Sequence, residues 1–157
     1  MKLAEALSLR SDLQKRLAQV QSRAVSCARF QEGERPAEDA LELLGQARDL
    51  TDEIETIVRR VNRTNASTEI DAGTTISDAI ARRDALALRR KVVTAVADAA
   101  SGSDRSSGWG RQLRSELRHV TDVAVPRLRA EADDLARQYR EIDVRIQEAN
   151  WATELLE

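Results

Sequence analysis

The chain has 157 residues, a length that suits one domain around a single core. Its 25 Lys and Arg against 27 Asp and Glu leave a net charge of −2, which excludes the basic excess of nucleic-acid-binding and polybasic membrane-anchored proteins. Charged residues make up 33% of the chain and aromatic residues 3%, which favours long, surface-rich helices over a compact aromatic core. The single cysteine excludes an intrachain disulfide framework.

The first predicted helix covers about residues 2–30. A seam of a and d positions runs along it and is interrupted only by an arginine: Leu3, Ala6, Arg10, Leu13, Leu17, Val20, Ala24 and Cys27. Gly33 can adopt a positive φ and is predicted to stop this helix. The N-terminal stretch carries frequent charges and no apolar core region, so it is not predicted to be a signal peptide and the protein is expected in the cytoplasm.

The second predicted helix covers about residues 36–64, with Pro36 in its first turn and the acidic Glu38 and Asp39 at the positive end of its dipole. Its predicted seam is Ala40, Leu44, Ala47, Thr51, Ile54, Val58, Val61 and Asn65, with a second apolar row at Leu41, Leu50 and Ile57. Two such seams joined by a short turn predict an antiparallel helical hairpin.

Residues 67–76 lose the helical period and alternate around Asp71-Ala72-Gly73, which predicts a short β segment. A third helix is predicted over about residues 78–100, beginning either from a capping box of Thr75 and Asp78 or from Ser77 as the N-cap. Residues 115–121 belong to an alternating stretch that allows a further β segment.

The last helix is predicted over about residues 124–150, with Asp122 as N-cap and Pro126 in its first turn. Its seam has no interruption: Val125, Leu128, Ala132, Leu135, Tyr139, Ile142, Ile146 and Ala149. The predicted fold is therefore mainly α, a single helical domain over residues 1–157 with a long antiparallel hairpin or bundle, coiled-coil-like packing and a small β element.

Several stretches, taken in order, carry a family resemblance: "MKLAEALSLRSDLQKRL", "VQSRAVSCARFQEGERPAED", "VRRVNRTN", "ISDAIARRDAL" and "YREIDVRIQEANW". They resemble a family of small bacterial proteins, common in Actinobacteria, that is often labelled septicolysin-like. The resemblance covers almost the whole chain and implies a helical fold without an established activity. The family label also implies a cytolysin, although no stretch of the sequence is apolar enough to insert as a membrane span.

An acidic face opens the second predicted helix. Glu38, Asp39 and Glu42 share this face, and carboxylates at i and i+4 can bind a hard cation such as Mg²⁺. Some all-α nucleotide pyrophosphohydrolases use a similar helix, although their second acidic motif has no convincing match here. The favoured interpretation is a solvated helix face, and a metal site is the alternative.

Polar residues on the predicted seams form the main candidate site. Arg10 and Asn65 lie on seams, Asn62 lies about one turn before Asn65, and a buried polar residue of this kind commonly fixes helix register. The alternative is a polar pocket that Arg83 or Asp84 would complete. Near the chain's last residues, Asn150 is predicted to end the helical register, and Trp151 is predicted to begin a lid over the bundle end, together with Leu155 and Leu156.

The remaining single residues indicate no chemistry. His119 has no partner for metal binding or base catalysis, Cys27 is expected to be a small buried hydrophobe, and Trp109 is either a partner contact or a packed side chain. We expect a non-enzymatic, cytoplasmic homo-oligomer or interaction protein that needs no cofactor and binds neither nucleic acid nor membrane. The alternatives are a metal-dependent nucleotide phosphohydrolase acting through the second helix and the cytolysin of the family label.

Overall fold

A computed structural model describes residues 1–102 and 120–157. Within those residues the chain forms four helices and one two-stranded antiparallel sheet: α1 Leu3–Cys27, α2 Ala40–Ser67, β1 Glu69–Asp71, β2 Thr74–Thr75, α3 Ile76–Ala100 and α4 Val125–Ala152. The predicted fold class, mainly α with a small β element, is confirmed. Most of the second predicted β segment, residues 115–119, lies outside the described residues.

The described chain divides into two compact units. The first comprises Met1–Ser77 and Gln147–Glu157, and the second comprises Asp78–Ile146. The divisions fall inside α3 and α4, so each of these helices begins in one unit and ends in the other. That residues 1–157 form one domain stays a prediction.

The helices α1 and α2 form the predicted antiparallel hairpin. A short loop over residues 28–39 joins them, and the start of α1 and the end of α2 both contact the same C-terminal segment. The Leu3 N–H donates to the Thr153 carbonyl at 3.0 Å, and the Leu156 N–H donates to the Thr64 hydroxyl at 3.0 Å. Because one segment bonds to both helices, the beginning of α1 must lie beside the end of α2.

The seam of α1 is buried as predicted. Its positions are all buried or half-buried: Leu3, Ala6, Leu13 and Val20 are buried, and Arg10, Leu17, Ala24 and Cys27 are half-buried. This stripe packs against α2, so the 3-4 spacing of the sequence identified the contact face correctly.

The predicted seam of α2 is buried or half-buried except at Leu44 and Thr51, which are exposed. The buried residues are Leu43, Ile57, Val61 and Thr64, and the half-buried Ala47, Leu50 and Ile54 complete their row. The predicted row shares Ala47, Ile54 and Val61 with it, but Leu44 is 43% exposed and Leu41 is 77% exposed. Adjacent residues on a helix are separated by about 100°, so two heptad patterns can share every other position. The sequence pattern placed Leu44 on the seam, whereas the structure buries Leu43.

The loop between α1 and α2 differs from the predicted boundaries. The first helix ends at Cys27, before Gly33, whose φ of +91° instead serves a turn in which the Glu34 N–H donates to the Gln31 carbonyl. Pro36 likewise lies outside α2, because the chain is extended at Asp39 and becomes helical only from Ala40. The Asp39 carboxylate accepts the Leu41 N–H at 2.7 Å, so its capping bond sets the start of α2.

The predicted β segment is a minimal hairpin. Strands β1 and β2 pair antiparallel, and Gly73 in the turn between them has a φ of +76°, which glycine adopts without steric cost. The Ile76 N–H then donates to the Thr68 carbonyl at 2.9 Å as α3 begins. This helix starts two residues earlier than predicted, which places Ser77 inside its first turn and not at the N-cap.

The last helix, α4, confirms its predicted seam and begins at Val125, one residue after its predicted start, so Asp122 lies three residues before the helix and is not its N-cap. Pro126 is its second residue, and every predicted seam position is buried or half-buried: Val125, Leu128, Ala132, Leu135, Tyr139, Ile142, Ile146 and Ala149. The helix continues to Ala152, so the predicted end of the register at Asn150 falls two residues short of the helix end.

Candidate functional site

The polar seam residues Arg10 and Asn65 lie partly in the interior of the first unit, whereas Asn62 is exposed. The Arg10 Nε and Asn65 Oδ1 atoms are shielded from solvent and have no hydrogen-bond partner within residues 1–102 and 120–157. A buried polar atom left without a bond costs about 1–3 kcal/mol. Asn62 cannot belong to an enclosed polar pocket, because it faces solvent. Whether Arg10 and Asn65 fix register or line a pocket stays a prediction.

The proposed tryptophan lid is wrong. Trp151 lies inside α4 and is 66% exposed, and Leu156 is 42% exposed, so neither side chain covers the core. Leu155 alone of the three is buried, at 8% exposure. The half-buried Asn150 precedes the last two residues of the helix. The indole faces solvent because α4 continues through Ala152, which places Trp151 on the outward side of the last turn.

The segment after α4 instead closes the end of the α1–α2 hairpin through its backbone. We call this contact the terminal clamp: residues 1–3 of the chain start, Arg60–Thr64 of α2 and residues 153–157. Lys2 and Glu154 form an antiparallel bridge, in which the Leu3 N–H donates to Thr153 and the Leu155 N–H donates to Met1, at 3.0 and 2.9 Å.

Side chains add to the terminal clamp. The Lys2 ammonium lies 2.8 Å from the Glu154 carboxylate, and this hydrogen bond holds the pKa of Glu154 below its ordinary value. The Arg60 Nε donates to the Leu156 carbonyl at 2.9 Å, and Arg63 donates to the Glu157 carbonyl. In these contacts polar groups satisfy one another as hydrogen bonds and ion pairs. This indicates that the terminal clamp stabilises the fold and is not a reactive site.

Arg83 and Asp84 belong to the second unit, whereas Arg10, Asn62 and Asn65 belong to the first. The Arg83 guanidinium donates to Asp84 at 2.9 Å and to Asp143 of α4 at 3.2 Å. Partial burial works to lower the pKa of Arg83, but the hydrogen bonds with the two aspartates outweigh it and the pKa is raised. Arg83 therefore has a clear structural role in joining α3 to α4.

The acidic face at the start of α2 is already engaged. Arg23 of α1 donates two hydrogen bonds to the Glu38 carboxylate. These bonds raise the pKa of Arg23 and lower that of Glu38. Asp39 caps α2, and Glu42 is exposed in the first turn. In residues 1–102 and 120–157, no group of three or more His, Cys, Asp or Glu side chains has an arrangement that could hold a metal ion.

Sequence reasoning missed an apolar surface on α3. Leu88, Val92 and Val96 follow one another at four-residue spacing and are 66%, 64% and 45% exposed. We call these three residues the outer strip of α3. Their spacing was visible in the sequence, but α3 also carries a buried apolar face, and apolar residues on both sides obscured the helical period.

Three other predictions concern single residues. The structure describes only residues 1–102 and 120–157. The predictions for His119 and Trp109 therefore lie outside the described residues. Cys27 is half-buried at the last position of α1, so its predicted burial is only partial.

The comparisons with known proteins concern almost the whole chain. A crystal structure of a functionally unknown conserved protein from Corynebacterium diphtheriae is 38% identical, with a TM-score of 0.90 and 99% of both chains covered. None of the curated proteins matches. Neither the septicolysin-like label nor a cytolysin appears among these findings, and in the described ranges none of the helices combines the length and hydropathy needed to cross a bilayer.

The agreement in fold is matched by a family assignment from sequence. The family of unknown function DUF6847 matches residues 10–155, which span α1 to the terminal clamp. The protein from Corynebacterium diphtheriae shows that the same fold occurs in a relative of nearly equal length. The chain belongs to the family of unknown function DUF6847.

Proposed function

We propose that the protein is a cytoplasmic, non-enzymatic helical interaction protein that self-associates through the outer strip of α3. The observation that carries this proposal is the exposure of Leu88, Val92 and Val96 along one side of a single helix. Monomeric soluble proteins rarely expose a contiguous apolar surface without a binding role. The spacing of the three residues keeps them on one side of α3 for about two helical turns.

The opposite face of α3 is already used in the fold. Ala79, Leu86 and Ala97 are at most 5% exposed, and they project roughly opposite to the outer strip. A helix that is apolar on both faces is normally covered on both faces. We therefore expect a partner outside the chain to cover the outer strip.

A second copy of the chain is the simplest partner for this surface. In a two-fold symmetric contact the same patch meets itself, and an antiparallel pair of α3 helices would centre on Val92. Leu88 of each copy would then lie opposite Val96 of the other. Leucine and valine side chains of this kind pack well across a helix–helix seam.

Substitution of the outer strip tests the proposal. We expect the wild-type protein to be a dimer or larger oligomer by light scattering and sedimentation velocity, and the double variant Leu88→Glu, Val92→Glu to be monomeric. The reason is that an oligomer would bury two carboxylates without partners. Circular dichroism should be unchanged, because both side chains are exposed in the single chain.

A matched control is available on α4. Val144 is 52% exposed and is not part of the outer strip, so Val144→Glu adds a carboxylate at an exposed valine elsewhere. This variant should keep the wild-type oligomeric state. A wild-type protein that stays monomeric at all accessible concentrations would contradict the proposal, as would an equal loss of assembly in the Val144→Glu control.

No specific observation favours the alternative functions. A phosphohydrolase acting through Glu38, Asp39 and Glu42 would have to free two carboxylates that now bind Arg23 and cap α2. The cytolysin alternative depends on the family label alone.

A further inference from the structure

A groove of about 580 Å³ lies within the second unit, between α3 and α4. Its volume is in the range of small-molecule binding sites. Ala87 and Thr94, seven positions apart, lie almost in line along α3 and form the low floor of the groove. Arg90 and Lys91 flank this floor on either side, and Tyr139 of α4 lines the opposite wall.

Two ion pairs join α3 to α4 and set their register. Asp98 accepts a hydrogen bond from Arg129 at 2.7 Å, and Asp143 accepts one from Arg83 at 3.2 Å. The earlier residue of α3 pairs with the later residue of α4, so the two helices are antiparallel here. The groove residues Arg90 and Lys91 fall between these two cross-links along α3.

Among the described residues, no carboxylate forms an ion pair with the two cations of the groove, Arg90 and Lys91. In the register of the two ion pairs, Arg90 and Lys91 come level with Leu135 and Ala136, which are buried apolar residues of α4. The lining carboxylate, Asp98, is engaged by Arg129. Two positive charges therefore face a recess whose own acidic group already has a partner.

We propose that this groove binds a phosphate-bearing small molecule. A guanidinium bonds two phosphate oxygens at once, and an adjacent ammonium adds a point charge, which Arg90 and Lys91 can supply from one helical turn. The hydroxyls of Thr94 and Tyr139 provide two further donors. The groove is much larger than a phosphate ion, so the ligand carries an organic part that lies against the Tyr139 ring.

The groove and the outer strip share no residue. Leu88, Val92 and Val96 are absent from its lining, and Arg90 and Lys91 are absent from the outer strip. Neutral variants of the two cations should therefore leave the oligomeric state unchanged. Light scattering on the same samples separates a failure of this assignment from a failure of the proposed function.

Titration calorimetry on the full chain, with adenosine monophosphate and inorganic phosphate as probes at low salt, tests the assignment. We expect saturable binding of adenosine monophosphate that is tighter than that of phosphate. Each of Arg90→Gln and Lys91→Gln should weaken it about tenfold or more, the usual effect of losing a hydrogen bond to a charged group. The control Arg89→Gln removes an equal charge from a neighbouring exposed position outside the lining and should bind like the wild type.

Three results would overturn the assignment. Absence of saturable binding at millimolar adenosine monophosphate would show that the groove is not a binding site for such a ligand. Unchanged binding in the double variant Arg90→Gln, Lys91→Gln, or an equal loss in Arg89→Gln, would show that the groove is not where the anion binds. Equal affinity for phosphate and adenosine monophosphate would contradict the proposal that the ligand carries an organic part that contacts the groove.

Discussion

Thr64 connects the end of α2 to the terminal clamp through one hydroxyl. Its side chain is fully buried, donates to the Arg60 carbonyl at 2.8 Å and accepts the Leu156 N–H at 3.0 Å. The first bond is a local helical contact that any threonine can make, whereas the second depends on the C-terminal segment folding back onto α2. The hydroxyl therefore links local helix structure to the closure of the hairpin.

Replacement of Thr64 by valine should loosen this closure. Thr64→Val keeps the side-chain shape but leaves the Leu156 N–H without its acceptor, so we expect the free energy of unfolding to fall by about 1–2 kcal/mol. Thr64→Ser retains the hydroxyl and should retain the bond, losing only the contribution of one methyl group, about 1 kcal/mol. Hydrogen exchange at the Leu156 amide distinguishes the variants, since it should accelerate in Thr64→Val and stay slow in Thr64→Ser. Equal protection in both would refute the link.

The elements of the hairpin use glycine in two different ways. Gly33 lies in the loop after α1 with a φ of +91°, whereas Gly45 lies in the second turn of α2 with ordinary helical geometry. An added Cβ would meet no atom within 4 Å at either position. Both positions therefore have room for a Cβ atom, and they differ only in backbone conformation.

Alanine at these two positions should shift stability in opposite directions. Gly45→Ala should raise the free energy of unfolding by about 0.5–1 kcal/mol, because alanine restricts the unfolded chain and favours helix. Gly33→Ala should lower it by about 1 kcal/mol, because a positive φ strains an L side chain. Urea unfolding of both variants measures the difference. A stabilising Gly33→Ala would contradict the proposed role of the backbone at that turn.

At the scale of the whole molecule, ion pairs connect elements that are distant in sequence. In the first unit, Arg23 joins α1 to Glu38 before α2, and Lys2 joins the chain start to Glu154. Along α4, Asp134 accepts hydrogen bonds from Arg137 and Gln138, which hold its pKa below the ordinary value. These side chains are exposed or half-buried at the surface, so salt and pH should act on them directly.

Acid should therefore destabilise the protein in a defined way. The pKa values of Glu38, Asp134 and Glu154 are lowered from ordinary values of 4.5, 3.8 and 4.5, so these carboxylates stabilise the folded state above those values. The contribution is lost as the pH falls through the lowered pKa values, because protonation breaks each ion pair. Denaturant unfolding from about pH 6 to about pH 3 should show the decline.

The variant Glu38→Gln provides the comparison for that measurement. It removes the carboxylate that binds Arg23, so its stability should fall less steeply with acid than that of the wild type. High salt should also flatten the wild-type curve, because these pairs are exposed and screened. Identical acid profiles for the variant and the wild type would show that the Arg23–Glu38 pair contributes nothing to the pH dependence.

The sequence by itself determined the helical architecture and two of its contact faces. The seams of α1 and α4 follow from the 3.6-residue period, because one helix face repeats locally whatever its partner is. Capping by Asp39 was not predicted, because Pro36 was placed in the first turn of the helix, whereas the backbone is extended at Asp39 and α2 begins at Ala40.

Only the tertiary structure decided the remaining features. It chose Leu43 over Leu44, left Trp151 in solvent, brought Lys2 to Glu154 and placed Arg90 and Lys91 in one groove with Tyr139 of α4. Each of these depends on which residue of another element comes level with it, and a repeating pattern is compatible with more than one alignment. Long-range backbone bonds and cross-helix ion pairs select one alignment, and those partners are far apart in the chain.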